Sequence, residues 1–210
     1  MKIQILCDNP GSWIIPYAKK LSEELTSMNH VVSYLERHEE VAAGDILVLL
    51  SCEQIYKNLK LNTHNLVVHE SDLPKGKGWS PLTWQIVEGA SSITVTLFEA
   101  SEKVDDGAIY EQETIEFKGT ELVDELRKLQ AEATMRLVHR FVDKFPDVEG
   151  KVQSGESTFY RRRTKEDSKL ATDKTIAEQF NLLRISDNER YPAWFEIDGK
   201  KFELHIFEAK

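Results

Sequence analysis

The amino-acid sequence predicts an α/β fold: an open, mostly parallel sheet of Rossmann-like, doubly wound type, followed by a small C-terminal α+β extension that carries a hairpin. Three observations support this. Strand-like and helix-like segments alternate through the first two-thirds of the chain. The segment Asp45-Ile46-Leu47-Val48-Leu49-Leu50 is apolar nearly throughout, as a strand covered on both faces must be. Near the C-terminus, Asp198-Gly199 separates two alternating runs, a strong short-range signal for a hairpin.

The elements follow in order. Ile3-Gln4-Ile5-Leu6 reads as the first strand and gives way to the turn-like Asn9-Pro10-Gly11-Ser12. Ile14, Ala18, Leu21, Leu25 and Met28 recur every three or four residues and line one face of a helix. Val31–Leu35, Asp45–Leu50 and Asn65–Val68 are further strands. Ser80-Pro81 marks a helix start, with a capping hydroxyl and a proline in the first turn. Ile93–Phe98 is β-branched and strand-like, and residues 107–117 offer another strand. Thr120 is expected to cap a long helix with apolar positions Leu122, Leu126, Leu129, Ala133 and Leu137, ending before Pro146. Composition shifts at Pro146–Gly150. A catalytic domain is therefore assigned to residues 1–147, and a small substrate-binding or dimerisation subdomain to 148–210. The latter holds a basic stretch, a helix over about 173–184 and the Trp194–Leu204 hairpin.

Bulk composition narrows the function classes. Hydrophobic residues make up 40% of the 210, which is ordinary for a soluble domain, and no apolar run is long enough to span a bilayer. The N-terminus lacks the pattern of a signal peptide, so a cytoplasmic location is expected. Cys7 and Cys52 each end an apolar run and read as buried, reduced thiols. His30, His38, His64, His139 and His205 show no ligand-like clustering with cysteines or carboxylates, so no metal is expected. A net charge of -9 argues against nucleic acid as a partner, and no membrane partner is expected.

The chemistry is carried by His69-Glu70-Ser71-Asp72-Leu73-Pro74-Lys75-Gly76-Lys77-Gly78, directly after a buried strand. Ligands of open α/β sheets bind beyond the carboxyl ends of the strands. Spacing alone leaves His69 as a structural residue or a catalyst. Downstream lie Val104-Asp105-Asp106-Gly107, then Thr158-Phe159-Tyr160-Arg161-Arg162-Arg163-Thr164-Lys165-Glu166-Asp167. These three segments, in this order, resemble the motifs of the folate-dependent formyltransferases: His-x-Ser-x-Leu-Pro-x-x-Lys-Gly, the Val-Asp-x-Gly loop, and the Tyr-x-x-Arg-Arg-Thr-x-Glu-Asp segment of the sugar and tRNA enzymes. The resemblance spans the chain, including Tyr191-Pro192-Ala193-Trp194-Phe195. It departs at Val67, where the family usually has asparagine; Asn65 lies two residues further back on the same face of the strand.

The resemblance implies formyl transfer from N10-formyltetrahydrofolate, with no metal, to an amine. His69 would stabilise the oxyanion and shuttle a proton. Asp105 would act as base or relay, with Asp106 as the alternative carboxylate. The backbone of Ser71, Asp72, Leu73 and Pro74 would contact the folate. Residues 151–170 hold six basic and three acidic groups. Together with Lys75 and Lys77 they suit a pyrophosphate. The expected substrate is thus a nucleotide-linked sugar, a UDP-linked 4-amino-4,6-dideoxy sugar of the pseudaminic-acid type used in bacterial surface glycans. Lys75, Lys77, Tyr160, Arg161, Arg163 and Tyr191 are its candidate contacts. The alternatives are a methionyl-tRNA or glycinamide-ribonucleotide type of enzyme, and a non-catalytic folate- or nucleotide-binding relative. Related enzymes imply a homodimer.

Overall fold

The computed structural model describes residues 1–209. The first half runs β1 (Lys2–Leu6), α1 (Ile15–Ser27), β2 (Val31–Leu35), β3 (Gly44–Leu49), β4 (Asn62–His69), β5 (Lys77–Gly78), α2 (Pro81–Val87) and β6 (Ser92–Glu99). Then come β7 (Ile109–Glu116), α3 (Val123–Lys144), β8 (Phe159–Tyr160), α4 (Phe180–Arg184), β9 (Ala193–Ile197) and β10 (Lys200–Leu204). Six strands form one sheet in the order β2-β1-β3-β4-β6-β7. The pairings of β1 with β2 and β3, and of β3 with β4, are parallel; β4·β6 and β6·β7 are antiparallel. The sheet is therefore mostly parallel and open, as the alternation of segments predicts.

The central strands are apolar because both faces are covered: Ile46 and Val48 pack with α1 and α3 on one side, and Leu47 and Leu49 pack with Val41 and Tyr56 of the connecting loops on the other. Ile46, Leu47 and Val48 are fully buried. The inner stripe of α1 is Ala18, Leu21 and Leu25, at the spacing read from the sequence. Phe98 on β6 and Phe141 on α3 are also enclosed, and burial of each side chain contributes about 1.5–3 kcal/mol. No helix among the described residues is long and apolar enough to cross a membrane.

Three expectations are corrected. The long helix starts at Val123 and is not capped by Thr120: the Glu125 side chain accepts from the Leu122 amide, while Glu121 accepts from the amides of Lys118 and Gly119. Ser80 makes no side-chain cap and sits in the left-handed region at φ 50°. The helix expected over 173–184 is a short 3-10 turn, Ala177–Gln179, followed by the five-residue α4. Here the Gln179 amide bonds back to Ala171, Lys174 and Thr175, which holds the preceding chain in a loop.

The segment after residue 148 returns to the main sheet. Lys151 bridges Ile109, and β8 pairs in parallel with β5. β9 and β10 form the expected hairpin, with Asp198 and Gly199 at φ 49° and 74°. Two successive positive φ values define the tight turn that Asp-Gly favours.

Candidate active site

β4 delivers His69 to the carboxyl edge of the sheet, where the residue is buried. Its Nε2 donates to the Gly76 carbonyl at 2.8 Å, so the loop that follows β4 closes over the ring that starts it. Glycine is needed at two points of this loop. Gly76 has φ +69°, and a Cβ there would lie 2.9 Å from that of Ser71. Gly78 has φ +98°, and its Cβ would meet the Tyr160 carbonyl oxygen at 2.4 Å. That close approach is what lets β5 pair with β8.

The β6–β7 connection supplies the second group. Residues after Glu99 fold back across β4, with the Ala100 amide donating to the Asn65 carbonyl. Gly107 permits the return: a Cβ there would stand 1.6 Å from the Glu99 carbonyl oxygen. This path brings Asp105 Oδ2 to 3.7 Å from His69 Nε2. Asp105 is held at φ 51° by the Gly78 amide, which donates to Oδ2 at 2.8 Å, and by Gln153, whose side chain donates to the carbonyls of Asp105 and Gly107. Asp106 faces elsewhere. It accepts from Lys77 Nζ at 2.5 Å, and that hydrogen bond holds its carboxyl below the ordinary range.

His69 and Asp105 open into a cavity of about 630 Å³. Its walls are apolar at Trp13, Ile14, Leu82 and Trp79 and polar at Glu70 and Gln130. Val67 also lines it and packs toward the cluster of Leu6, Leu47 and Leu49. Asn65 does not reach it; its amide donates to the Leu59 carbonyl at 2.8 Å. Glu70 accepts from the Gln130 side chain on α3, and burial pushes its carboxyl above the ordinary range against the pull of His69 and of that amide.

The other expected contacts divide. Ser71, Asp72, Lys75 and Tyr160 line a second cavity of about 510 Å³, apart from the first. Leu73 is buried and Pro74 half-buried. The Ser71 carbonyl accepts from Thr96 Oγ1, and Gln112 links Thr96 to Asp72. Tyr160 donates its hydroxyl to Glu88 and is pushed up to about 12 by burial. Lys77, expected to face substrate, is instead buried in its ion pair, with 3% of its side chain exposed. Arg161 forms a two-pronged pair with Asp167, which holds that carboxyl well below its usual range. Arg163 is turned inward toward Asp167 and Ser168. Tyr191 is half-buried and bonds Asp187 through its amide. Within the basic stretch Arg161 and Lys169 are therefore paired with carboxylates of the chain, and Arg163 is turned away from solvent. Glu70, Gln112, Gln130 and Gln153 were not singled out from the sequence; single amides and carboxylates carry no spacing signal.

Fold and site together define an α/β protein with a histidine and a carboxylate side by side at a ligand-sized cavity beyond the carboxyl edge of its sheet. The family model described as formyl transferase matches residues 17–142, more than half of the chain, and the chain belongs to that family. It is 28% identical over 179 residues to a methionyl-tRNA formyltransferase of Lactobacillus acidophilus, covering 80% of this chain and 54% of the relative. The chain spans about half the length of the curated methionyl-tRNA formyltransferases it matches. Among solved structures, a methionyl-tRNA formyltransferase from Clostridium thermocellum superposes with a TM-score of 0.83 at 20% identity, covering 100% of this chain and 94% of that one. HypX from Aquifex aeolicus in complex with tetrahydrofolic acid gives 0.80 at 19%, covering 98% and 37%. A sugar N-formyltransferase from Shewanella sp FDAARGOS_354 gives 0.71 at 18%, covering 98% and 97%. At such identities these structures share the fold.

Proposed function

We propose that this protein transfers a formyl group from N10-formyltetrahydrofolate to the amino group of a nucleotide-linked amino sugar. The observation that carries the reading is the His69–Asp105 pair, 3.7 Å apart at the mouth of the larger cavity. A cavity of about 630 Å³ with apolar walls and a few polar groups suits the flat ring system of a folate. Trp13, Ile14, Leu82 and Trp79 would hold it, and bound there it supplies the activated one-carbon unit.

The chain's own groups account for the rest. The Nε2 proton of His69, now donated to Gly76, can be offered to an oxygen that gains negative charge as an amine attacks its carbon. Asp105, at hydrogen-bond reach through a small shift, accepts the proton the amine must lose, and as the bond from the formyl carbon to the folate nitrogen breaks that proton is returned to the departing nitrogen. Loop closure by the β5–β8 pairing keeps both groups in place.

Two features favour a nucleotide sugar over a tRNA. The net charge is -9, whereas a tRNA partner needs a broad basic face. At the cavity rim the Arg162 guanidinium lies 4.6 Å over the Trp79 ring, and no carboxylate among the described residues pairs with it. That pair offers stacking and a single positive charge, on the scale of one phosphate rather than of a nucleic-acid backbone. Val67 favours a second reading, a binding protein without turnover, because an apolar wall stands where the family carries an amide.

The test is to incubate the protein with N10-formyltetrahydrofolate and a UDP-linked 4-amino-4,6-dideoxy sugar and to follow the sugar's mass. The expected result is a gain of one formyl group that falls about 10²–10⁴-fold in His69→Ala. Formylation of initiator methionyl-tRNA instead would replace the sugar assignment. Folate binding without turnover, with activity appearing in Val67→Asn, would establish the second reading.

A further inference from the structure

A cluster at the edge of the proposed site sits just beyond the carboxyl ends of β1, β2 and β3. Asp8 follows β1, His38 opens the short turn after β2, and Cys52 follows β3. One ligand atom from each lies within 4.8 Å of the other two. This corrects the expectation that His38 has no clustered partner. Positions 8, 38 and 52 show no motif in the chain, but β2, β1 and β3 are neighbours in the sheet, so their ends converge. The crevice between β1 and β3 is also where the strand order reverses, the place where open α/β sheets take ligands.

We infer that Asp8, His38 and Cys52 form a divalent-metal site of the zinc class. The donors are one carboxylate oxygen, one imidazole nitrogen and one sulfur, a set that suits a borderline-soft ion. His38 Nε2 and Asp8 Oδ2 are 2.8 Å apart. In a tetrahedral zinc site with bonds of about 2.0–2.3 Å, neighbouring donors stand about 3.3–3.7 Å apart. The His38–Asp8 contact must open by a fraction of an ångström, and Cys52 Sγ, which now faces the Leu6 carbonyl at 3.5 Å, must turn from it toward the other two donors. The surroundings fit this. The Glu53 and Gln54 amides donate to Asp8 Oδ1 and Oδ2 at 2.7 and 3.2 Å and fix the carboxylate's orientation, the role of outer-shell donors in metal sites. Exposure is low, at 7% for the Asp8 side chain and 20% for that of His38. Three protein ligands leave a fourth position for water, and Cys52 also lines the larger cavity.

The experiment uses the full chain, stripped with a chelator and titrated with Co²⁺ as a spectroscopic stand-in for Zn²⁺. The expected result is a near-ultraviolet sulfur-to-cobalt charge-transfer band and strong visible bands of a four-coordinate ion. Both should saturate at one ion per chain and be displaced by Zn²⁺. Cys52→Ser should abolish the charge-transfer band with circular dichroism unchanged. His38→Gln should weaken Co²⁺ binding by more than about tenfold. Cys7→Ser should leave the spectrum as it is. Absence of the charge-transfer band in the folded wild-type chain, or its survival in Cys52→Ser and loss in Cys7→Ser, would overturn the site. Formylation assays play no part in this readout, so it stands apart from the proposed activity.

Discussion

Asp105 combines an unfavourable backbone with a useful position. A φ of 51° is sparsely occupied by residues other than glycine, and aspartate and asparagine tolerate it best. Strain of this kind persists only where neighbours enforce it, and here the Gly78 amide and Gln153 do so. Asp105→Asn keeps a residue suited to that conformation and an oxygen for the Gly78 amide, but it removes the negative charge beside His69. The expected outcome is a fall in transfer rate of about 10²–10⁴-fold with an unchanged melting temperature, read by the sugar-mass assay and calorimetry. Gly107→Ala should act differently. Its Cβ has no room beside the Glu99 carbonyl, so the loop must shift and the fold lose about 1–3 kcal/mol, measured by urea denaturation. Sequence reasoning reaches His69 and Asp105 through the family resemblance, whose motifs are local, whereas spacing alone leaves each of them open to a structural role. The ion pair that removes Lys77 from substrate is not local: its partner is 29 positions away.

At the scale of elements, one buried ion pair ties α4 to the connection between β7 and α3. Arg184 on α4 donates to Glu121 at 2.6 Å, ahead of α3, and its side chain is 2% exposed. Burial alone would raise the Glu121 carboxyl, but the amides of Lys118 and Gly119 and the Arg184 charge hold it below its ordinary value. Arg184→Met leaves that carboxylate buried without its partner. The expected loss is about 3–5 kcal/mol by urea denaturation, larger than for the double variant Arg184→Met/Glu121→Leu. The hairpin was legible because Asp-Gly fixes its turn whatever surrounds it. The start of α3 was misread because the caps come from Glu121 and Glu125, not from the hydroxyl of Thr120. The β5–β8 pairing was invisible: each strand has two residues, and Gly76 and Thr158, bonded at its edge, stand 82 positions apart.

For the whole molecule, charge sets the response to acid. Several carboxyls are held low by cationic partners. At Asp167 the Arg161 guanidinium is the main cause. At Glu113 and Asp187 burial pulls upward and is outweighed by Arg136 and Arg140 in one case and by Arg127 and nearby amides in the other. A carboxyl lowered in the fold contributes stability above its unfolded value, near 3.8 for aspartate and 4.5 for glutamate, and loses it as pH falls through the folded value. Glu70 has the opposite sign. Burial raises it, so its contribution is complete below 4.5 and is lost as pH rises through its folded value. With Asp106 and Glu121 lowered as well, the lowered carboxyls outnumber the one raised group, so the acid limb dominates and stability should decline steadily below about pH 4. Asp167→Asn should flatten that limb while lowering stability at pH 7. Glu70→Gln should leave the acid limb intact and flatten the slope above pH 4.5, where only Glu70 titrates among these carboxyls. Urea midpoints measured from pH 3 to 8 for the wild type and both variants would check this. An unchanged acid limb in Asp167→Asn would show that the Arg161 pair adds nothing to the folded state, and would shift the acid sensitivity onto Glu113 and Asp187.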